Sequence, residues 1–139
     1  MPDDSPTPDE VWRMLTTLVM DSRDVYRRAV IERTGLPFSR IRILRRLRGG
    51  PLTVKELAHA ATMDAPAATV AITDLEERGL VVREIDAANR RRKLVSLTDT
   101  GREVVATALA TPDPAPPRVT ELSAGDLRTL RDLLHKLEH

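Results

Sequence analysis

The sequence predicts a mainly α-helical chain with a small two- or three-stranded β element, and three observations carry that prediction. Two helices with their own start signals follow one another over residues 53 to 79. The apolar period then drops from about 3.6 to about 2 over Leu80–Ile85 and again over Lys93–Leu97, around a basic run, Asn89-Arg90-Arg91-Arg92-Lys93. Outside that block, the first and last helical segments carry apolar bands broader than one small core can use.

The central block is dictated locally. Thr53-Val54-Lys55-Glu56 reads as a capping box: the Thr53 hydroxyl accepts from the third helical amide and Glu56 reaches back to the cap's own amide. That helix turns Val54, Leu57, Ala58 and Ala61 inward, and Ala60–Met63 form the turn after it. Asp64 is the next N-cap, with Pro66 in the first turn, where its missing amide proton costs little. Ala68, Ala71, Ile72 and Leu75 then recur at i, i+3, i+4 and i+7. Gly79 is suited to the left-handed conformation that closes a helix, and Leu80 folds back on Leu75. The two strands follow, with Asp86–Arg92 read as the linker between them. Thr98 caps the next helix, and Gly101 permits a close backbone approach at its first turn. Helix, helix, then a hairpin with a basic tip is the order of a winged helix-turn-helix, which lays one helix in a DNA groove and the hairpin beside it.

The rest reads as a helical dimerisation lobe. Met1–Pro8 has the composition of a disordered tail. From Asp9 to Gly35, Val11, Leu15, Leu18, Ser22, Val25 and Ala29 mark one helical face, widened by Trp12, Val19, Tyr26 and Val30. Ser39 is read as the cap of a helix stapled by Phe38 against Ile43 and ending at Gly49-Gly50-Pro51. Ser123 caps a last helix in which Leu127, Leu130, Leu134 and Leu137 recur at spacings suited to lengthwise packing on another helix. Pro112, Pro114, Pro116 and Pro117 should stop the helix after Thr98 by Thr111, since an interior proline costs about 3 kcal/mol. A stiff, extended stretch is expected to follow. The expected organisation is a tail over 1–8 and one domain over 9–139, with dimerisation helices in 9–35 and 104–139 and the winged helix-turn-helix in 36–103.

Charge agrees with contact to a polyanion. The net charge is only +1. Residues 39–103, however, hold 13 basic and 9 acidic side chains, whereas residues 1–38 hold 5 and 7. The positive excess therefore sits on the winged block. The chain has no cysteine, so thiolate metal sites, disulfides and thiol redox sensing are excluded. Neither a secretory h-region nor an 18-residue apolar run occurs, and a cytoplasmic protein is expected. His59, His135 and His139 lack ligand spacing, Gly49-Gly50 belongs to no phosphate-binding pattern, and no nucleophile, base and orienting group converge by spacing. No enzyme, metal or cofactor is expected.

The runs Leu52–Ala58, Leu75–Val81 and Asn89–Gly101, in that order and at consistent spacings, resemble the MarR family of bacterial transcriptional regulators. The likeness is tightest over about fifty residues and extends more loosely over roughly 10 to 138. It implies a homodimer that regulates genes, as a repressor in the first instance, by binding a palindromic operator, with release by a small ligand. Two departures stand out. The exposed face of the second helix is Ala65, Pro66, Ala67, Thr69, Val70, Thr73 and Asp74, with no cation before Arg78, so Arg-to-guanine readout is absent and thymine methyls meet Ala, Val and Thr methyls instead. Where the family often has Asp at the wing tip, this chain has Asn89, which is expected to leave Arg91 freer to reach a phosphate or the minor groove.

The expected function is thus sequence-specific DNA binding, through Thr53, Lys55, Ala65, Pro66, Ala67, Thr69, Val70, Thr73, Asn89, Arg90, Arg91, Arg92 and Lys93, as a dimer held by Val11, Leu15, Leu18, Leu127, Leu130, Leu134 and Leu137. Trp12, Tyr26, Arg42, Arg45 and Arg46 are the candidate contacts for an effector. The bland readings are a solvated charge run for the arginines, core packing for the leucines and aromatics. The alternative function, prompted by the cation-free helix face, is a winged-helix protein-interaction module with little or no specific DNA binding.

Overall fold

The computed structural model describes residues 3–138; Met1 and Pro2 of the expected tail, and His139, lie outside the described residues. Asp3–Thr7 carry no helix or strand, and α1 (Pro8–Thr34) begins one residue earlier than the sequence suggests. Then follow α2 (Phe38–Arg46), a 3-10 turn (Leu47–Gly49), β1 (Leu52–Thr53), α3 (Val54–Ala60), α4 (Ala65–Glu77), β2 (Val81–Asp86), β3 (Asn89–Leu97), α5 (Asp99–Leu109), α6 (Pro117–Thr120) and α7 (Ala124–Leu137). The fold is mainly α with a three-stranded antiparallel sheet, ordered β1-β3-β2.

The chain divides into two compact units, residues 23–111 and residues 1–22 with 112–139. In the first, Ile41, Ile43 and Leu44 of α2, Leu57 of α3, Ile72 and Leu75 of α4, and Val81 and Val95 of the sheet are almost wholly withdrawn from solvent. Val105 and Ala108 of α5 join the same core. Three helix starts are as the residues dictate. Thr53 accepts from the Glu56 amide at 3.1 Å, Asp64 from the Ala67 amide at 2.7 Å, and Thr98 from the Gly101 amide at 3.0 Å. Glu56 does not reach back to the Thr53 amide; its carboxylate accepts from the Thr53 hydroxyl at 3.0 Å, and Thr53 is paired to Leu94 in the sheet.

Ser39 is not the cap of α2. Pro37 occupies that position with extended backbone (φ −57, ψ 147), and Phe38 is already helical. Proline pre-sets the entry angle without a side-chain hydrogen bond, so Ser39 becomes the second residue of the helix and not its cap.

The hairpin is pinned at its root. Gly79, at φ 74, ends α4 with its amide on the Glu76 carbonyl (3.0 Å), and Leu80 donates to the Leu75 carbonyl (2.9 Å), the paired bonds of a Schellman closure. Across the root, Thr98 donates its amide to Leu80 (3.1 Å) and its hydroxyl to Gly79 (2.7 Å). Gly101 lies so near that a Cβ there would stand 2.0 Å from the Leu80 carbonyl oxygen.

In the other unit, α5 has ended before Pro112, as the prolines require; Pro112–Pro116 carries no helix or strand, with Pro116 extended (φ −67, ψ 159), and is followed by the short α6, which the periodicity did not announce. The Ser123 hydroxyl caps α7, accepting from Asp126 at 3.1 Å. No described residue of this unit is buried. Among the described residues, no helix is long and apolar enough to cross a membrane.

Gly101→Ala should cost about 2–3 kcal/mol by overpacking against backbone, and Gly79→Ala about 1–2 kcal/mol through the left-handed conformation. Gly49→Ala, with open space around its Cβ position, should change stability by less than about 0.5 kcal/mol. Urea unfolding midpoints check the ranking; equal midpoints for Gly101→Ala and Gly49→Ala would refute the close approach.

Candidate nucleic-acid interface

The outward side of α4 begins at its cap. Ala65, Pro66, Ala67, Thr69 and Val70 are exposed, Val70 to 63%. The Thr69 hydroxyl donates back to the Ala65 carbonyl at 2.9 Å, leaving its methyl and its oxygen lone pairs outward. The last two residues expected on this face are not free. Arg83 of β2 donates to the Thr73 hydroxyl (3.2 Å) and grips Glu76 (3.0 Å), so Thr73 is half-buried and its oxygen already accepts a bond. Asp74 takes Arg40 of α2 at 2.9 Å and Arg78 at 3.1 Å. The readable surface is therefore the first two turns, an almost entirely methyl-bearing one.

These pairs supply what the helix's own sequence lacks. Arg40 and Arg83 bring positive charge beside α4 from other elements, although both are spent on its acids. The Arg40 guanidinium, then Arg78, holds the Asp74 carboxyl below its ordinary value, and Arg83 does the same for Glu76, whose carboxylate in turn raises Arg83.

On α3, Lys55 is exposed on the first turn and, among the described residues, makes no ion pair; Thr53 is half-buried with its hydroxyl committed to the cap. Both sit at the start of the same helix.

The wing differs from its expected layout in one informative way. Asn89–Arg92 are not linker residues: β3 begins at Asn89, the turn is Ala87-Ala88, and Asp86 pairs with Asn89. The neighbouring pair is Ile85 with Lys93, so Arg90, Arg91 and Arg92 bulge out with no residue opposite them on β2. Asp86, only 6% exposed, organises the bulge: its carboxylate accepts from the Ala88 amide (2.9 Å) and from Arg92 Nε (2.7 Å). Arg92 and these amides hold the Asp86 carboxyl below its ordinary value of 3.8. Asn89 accepts from the Arg91 amide at 3.2 Å and so fixes backbone, not guanidinium. Among the described residues the Arg90 and Arg91 side chains make no hydrogen bond or ion pair, and Lys93 stands exposed beside them. Sequence reasoning missed Asp86, Arg83 and Arg40; only Asp86 carried a local signal, as a side chain placed to close a turn two residues on.

The candidate effector residues fall in both units. Trp12 is 67% exposed in the unit that lacks buried residues. Tyr26 packs on the core, with the Arg23 guanidinium 4.2 Å from its ring centre. Arg42, Arg45 and Arg46 do come together, with Arg48, around a concavity of about 330 Å³. Arg42 donates to the Ala61 carbonyl at the end of α3. Among the described residues no group of acids and histidines could hold a metal ion.

Residues 34–92, which span α2 to the bulge of the wing, match the MarR family. The match covers the winged-helix part of the chain, which is similar to that of the MarR family. A mutant of MarR from E. coli is 21% identical over 96% of this chain and 98% of its own, with a TM-score of 0.77. A MepR mutant from S. aureus bound to an oligodeoxyribonucleotide is 22% identical over 96% of both chains, with a TM-score of 0.62. CouR from Rhodococcus jostii RHA1, bound to p-coumaroyl-CoA, is 26% identical over 93% of this chain and 92% of that one, with a TM-score of 0.67. The fold is thus that of MarR-family transcriptional regulators.

The depressed carboxyl of Asp86 gives a pH prediction. Its ion pair stabilises the fold above the ordinary carboxylate value of 3.8 and is lost as pH falls through the lower, folded-state value. The urea midpoint of the natural chain should therefore fall more steeply below pH 4 than that of Asp86→Asn, which keeps the turn acceptor and loses the charge. Parallel curves would remove Asp86 from the wing's support.

Proposed function

We propose that this chain is a cytoplasmic transcriptional regulator that binds double-stranded DNA as a homodimer on a palindromic operator, in the first instance as a repressor, and that a small molecule releases it. The observation that carries the reading is the wing bulge: among the described residues Arg90 and Arg91 are unpaired, and they are exposed next to Lys93, while their neighbour Arg92 is anchored to Asp86. Free guanidinium groups on a fixed backbone suit phosphate or minor-groove contact. The exposed methyls of Ala65, Ala67, Thr69 and Val70 suit thymine methyls in the major groove. Specificity from α4 is then modest, and the wing contributes most of the affinity.

The dimer is supported by what the single chain leaves uncovered. Leu134 and Leu137 of α7 are 43% and 63% exposed, Leu127 is exposed with them, and Leu130 is half-buried. On α1, Val11 is exposed, and Leu15 and Leu18 are half-buried. Apolar faces of this extent are covered by a partner helix. A second copy would present its own wing and α4, and two recognition helices about 34 Å apart enter successive major grooves. DNA on the MepR relative and a CoA thioester on CouR support the two kinds of partner.

Arg90→Ala with Arg91→Ala should weaken duplex binding by orders of magnitude and flatten the plot of log K against log salt by about 0.9 per lost phosphate contact, roughly 3.6 for a dimer. Fluorescence anisotropy across a salt series measures both. Unchanged slope and affinity would remove the wing from the interface and favour a protein-docking module. Leu134→Glu with Leu137→Glu should give a monomer by sedimentation that binds single half-sites weakly; a persistent dimer would assign the interface elsewhere.

A further inference from the structure

The arginine concavity on α2 does not stand alone. Arg48 also lines an apolar cavity of about 420 Å³, bounded by the 3-10 turn after α2, by Gly50-Pro51 before β1, by Ser96-Leu97 at the end of β3, and by α5. Leu47, Leu97, Val105, Ala106 and Leu109 give it an apolar wall. A volume of this size, mostly apolar with a few polar groups at one side, is the form of a small-molecule site. Of its two cations, Arg102 is already engaged, donating to the Leu97 carbonyl (3.1 Å) and pairing with Asp99, whereas Arg48 is unpaired among the described residues.

The concavity beside it holds Arg42, Arg45, Arg46 and Arg48 and no acid. Arg42, Arg45 and Arg46 are three and four apart on one helix, where like charges repel and destabilise the helix. Four clustered guanidinium groups without a carboxylate leave a charge that a bound anion would offset, and Arg forks match phosphate oxygens in pairs. A simple carboxylate needs one such partner; this shelf offers four.

We propose that shelf and cavity form one site for an amphipathic polyanion, with an acyl or aryl group in the cavity and a phosphorylated head on Arg42, Arg45, Arg46 and Arg48. The site rests on the effector reading above and gives that effector a chemistry. Its occupant would lie against the chain just before α4 and at the root of the wing, next to the two elements that carry the candidate DNA interface. The head would compete for Arg42, which now donates to the carbonyl of Ala61, three residues before the cap of α4. The apolar group would lie against Pro51 and Leu97 at the foot of the wing. Unequal affinity for two arrangements of these elements is what lets a ligand alter DNA binding.

Calorimetric titration of the full chain, without DNA, tests the proposal with octanoyl-coenzyme A, coenzyme A, octyl phosphate and octanoate. Octanoyl-coenzyme A should bind at least tenfold more tightly than coenzyme A or octanoate. Octyl phosphate distinguishes the source: parity with the thioester means that a lipid-like monophosphate suffices, and a tenfold deficit means that the nucleotide head is used. Arg45→Gln with Arg46→Gln should erase the thioester's advantage over octanoate. Ala106→Trp, at an exposed lining position, should erase its advantage over coenzyme A, with Leu109→Phe in reserve should Ala106→Trp melt early by circular dichroism. Equal binding of coenzyme A and its thioester, indifference to both sets of substitutions, or no heat with any probe would overturn the site. A duplex titration run alongside separates the failures: a chain that binds DNA but none of these probes loses only this site, and a chain that binds the thioester but no duplex loses the regulator reading.

Discussion

The arrangement depends on a knot of backbone at the root of the wing. Gly79 and Leu80 end α4 and Thr98 starts α5, and two hydrogen bonds tie them together, the Thr98 amide on Leu80 and its hydroxyl on Gly79, while that same hydroxyl accepts the Gly101 amide and caps α5. Because β2 leaves from one side of the knot and β3 returns to the other, the direction of the hairpin relative to α4 is set here. Gly101 has no room for a side chain. The same knot therefore determines where the arginines can reach and which way the α4 methyls face.

Away from the root, positive charge is divided into spent and unspent portions. Arg40, Arg78 and Arg83 neutralise Asp74 and Glu76, which stiffens α4 and removes two acids from what would otherwise repel a polyanion. Arg92 is consumed by Asp86. Among the described residues, Arg90 and Arg91 on the wing, beside Lys93, and Arg45, Arg46 and Arg48 on α2 and the turn after it form two groups of cations with no acidic partner on the same unit. A net charge of +1 conceals this, since the cations that matter are those that lack a partner, not those in excess.

Features written within three or four residues were legible. Asp64, Thr98 and Ser123 cap as read, Thr53 caps through its hydroxyl though without the return bond from Glu56, and Gly79 closes α4, because donor and acceptor are near neighbours in the chain. Proline also spoke plainly at Pro112–Pro116, and it was underweighted at Pro37, where a rigid ring did the work ascribed to the Ser39 hydroxyl. Pairings across long separations were not legible. Arg40 meets Asp74 from 34 positions away, and nothing in either neighbourhood announces it. Thr73 likewise looks like a reading residue until Arg83 is brought onto it by the fold. The register of the hairpin was hidden for a different reason: a period-two signal locates strands where side chains alternate between core and solvent, and Asn89–Lys93 are all exposed.

That bulge has a bearing on how such a protein diversifies. With Arg90, Arg91 and Arg92 facing no residue on β2, one of them can be deleted, or another inserted, without sliding Val95 from Arg83 or Leu97 from Val81. Length changes at this spot lengthen or shorten the reach of the wing while the buried pairing below stays in step. The exposed tip of the wing is thus mechanically insulated from the core, and its length can change by small insertions and losses that the buried pairing below does not feel.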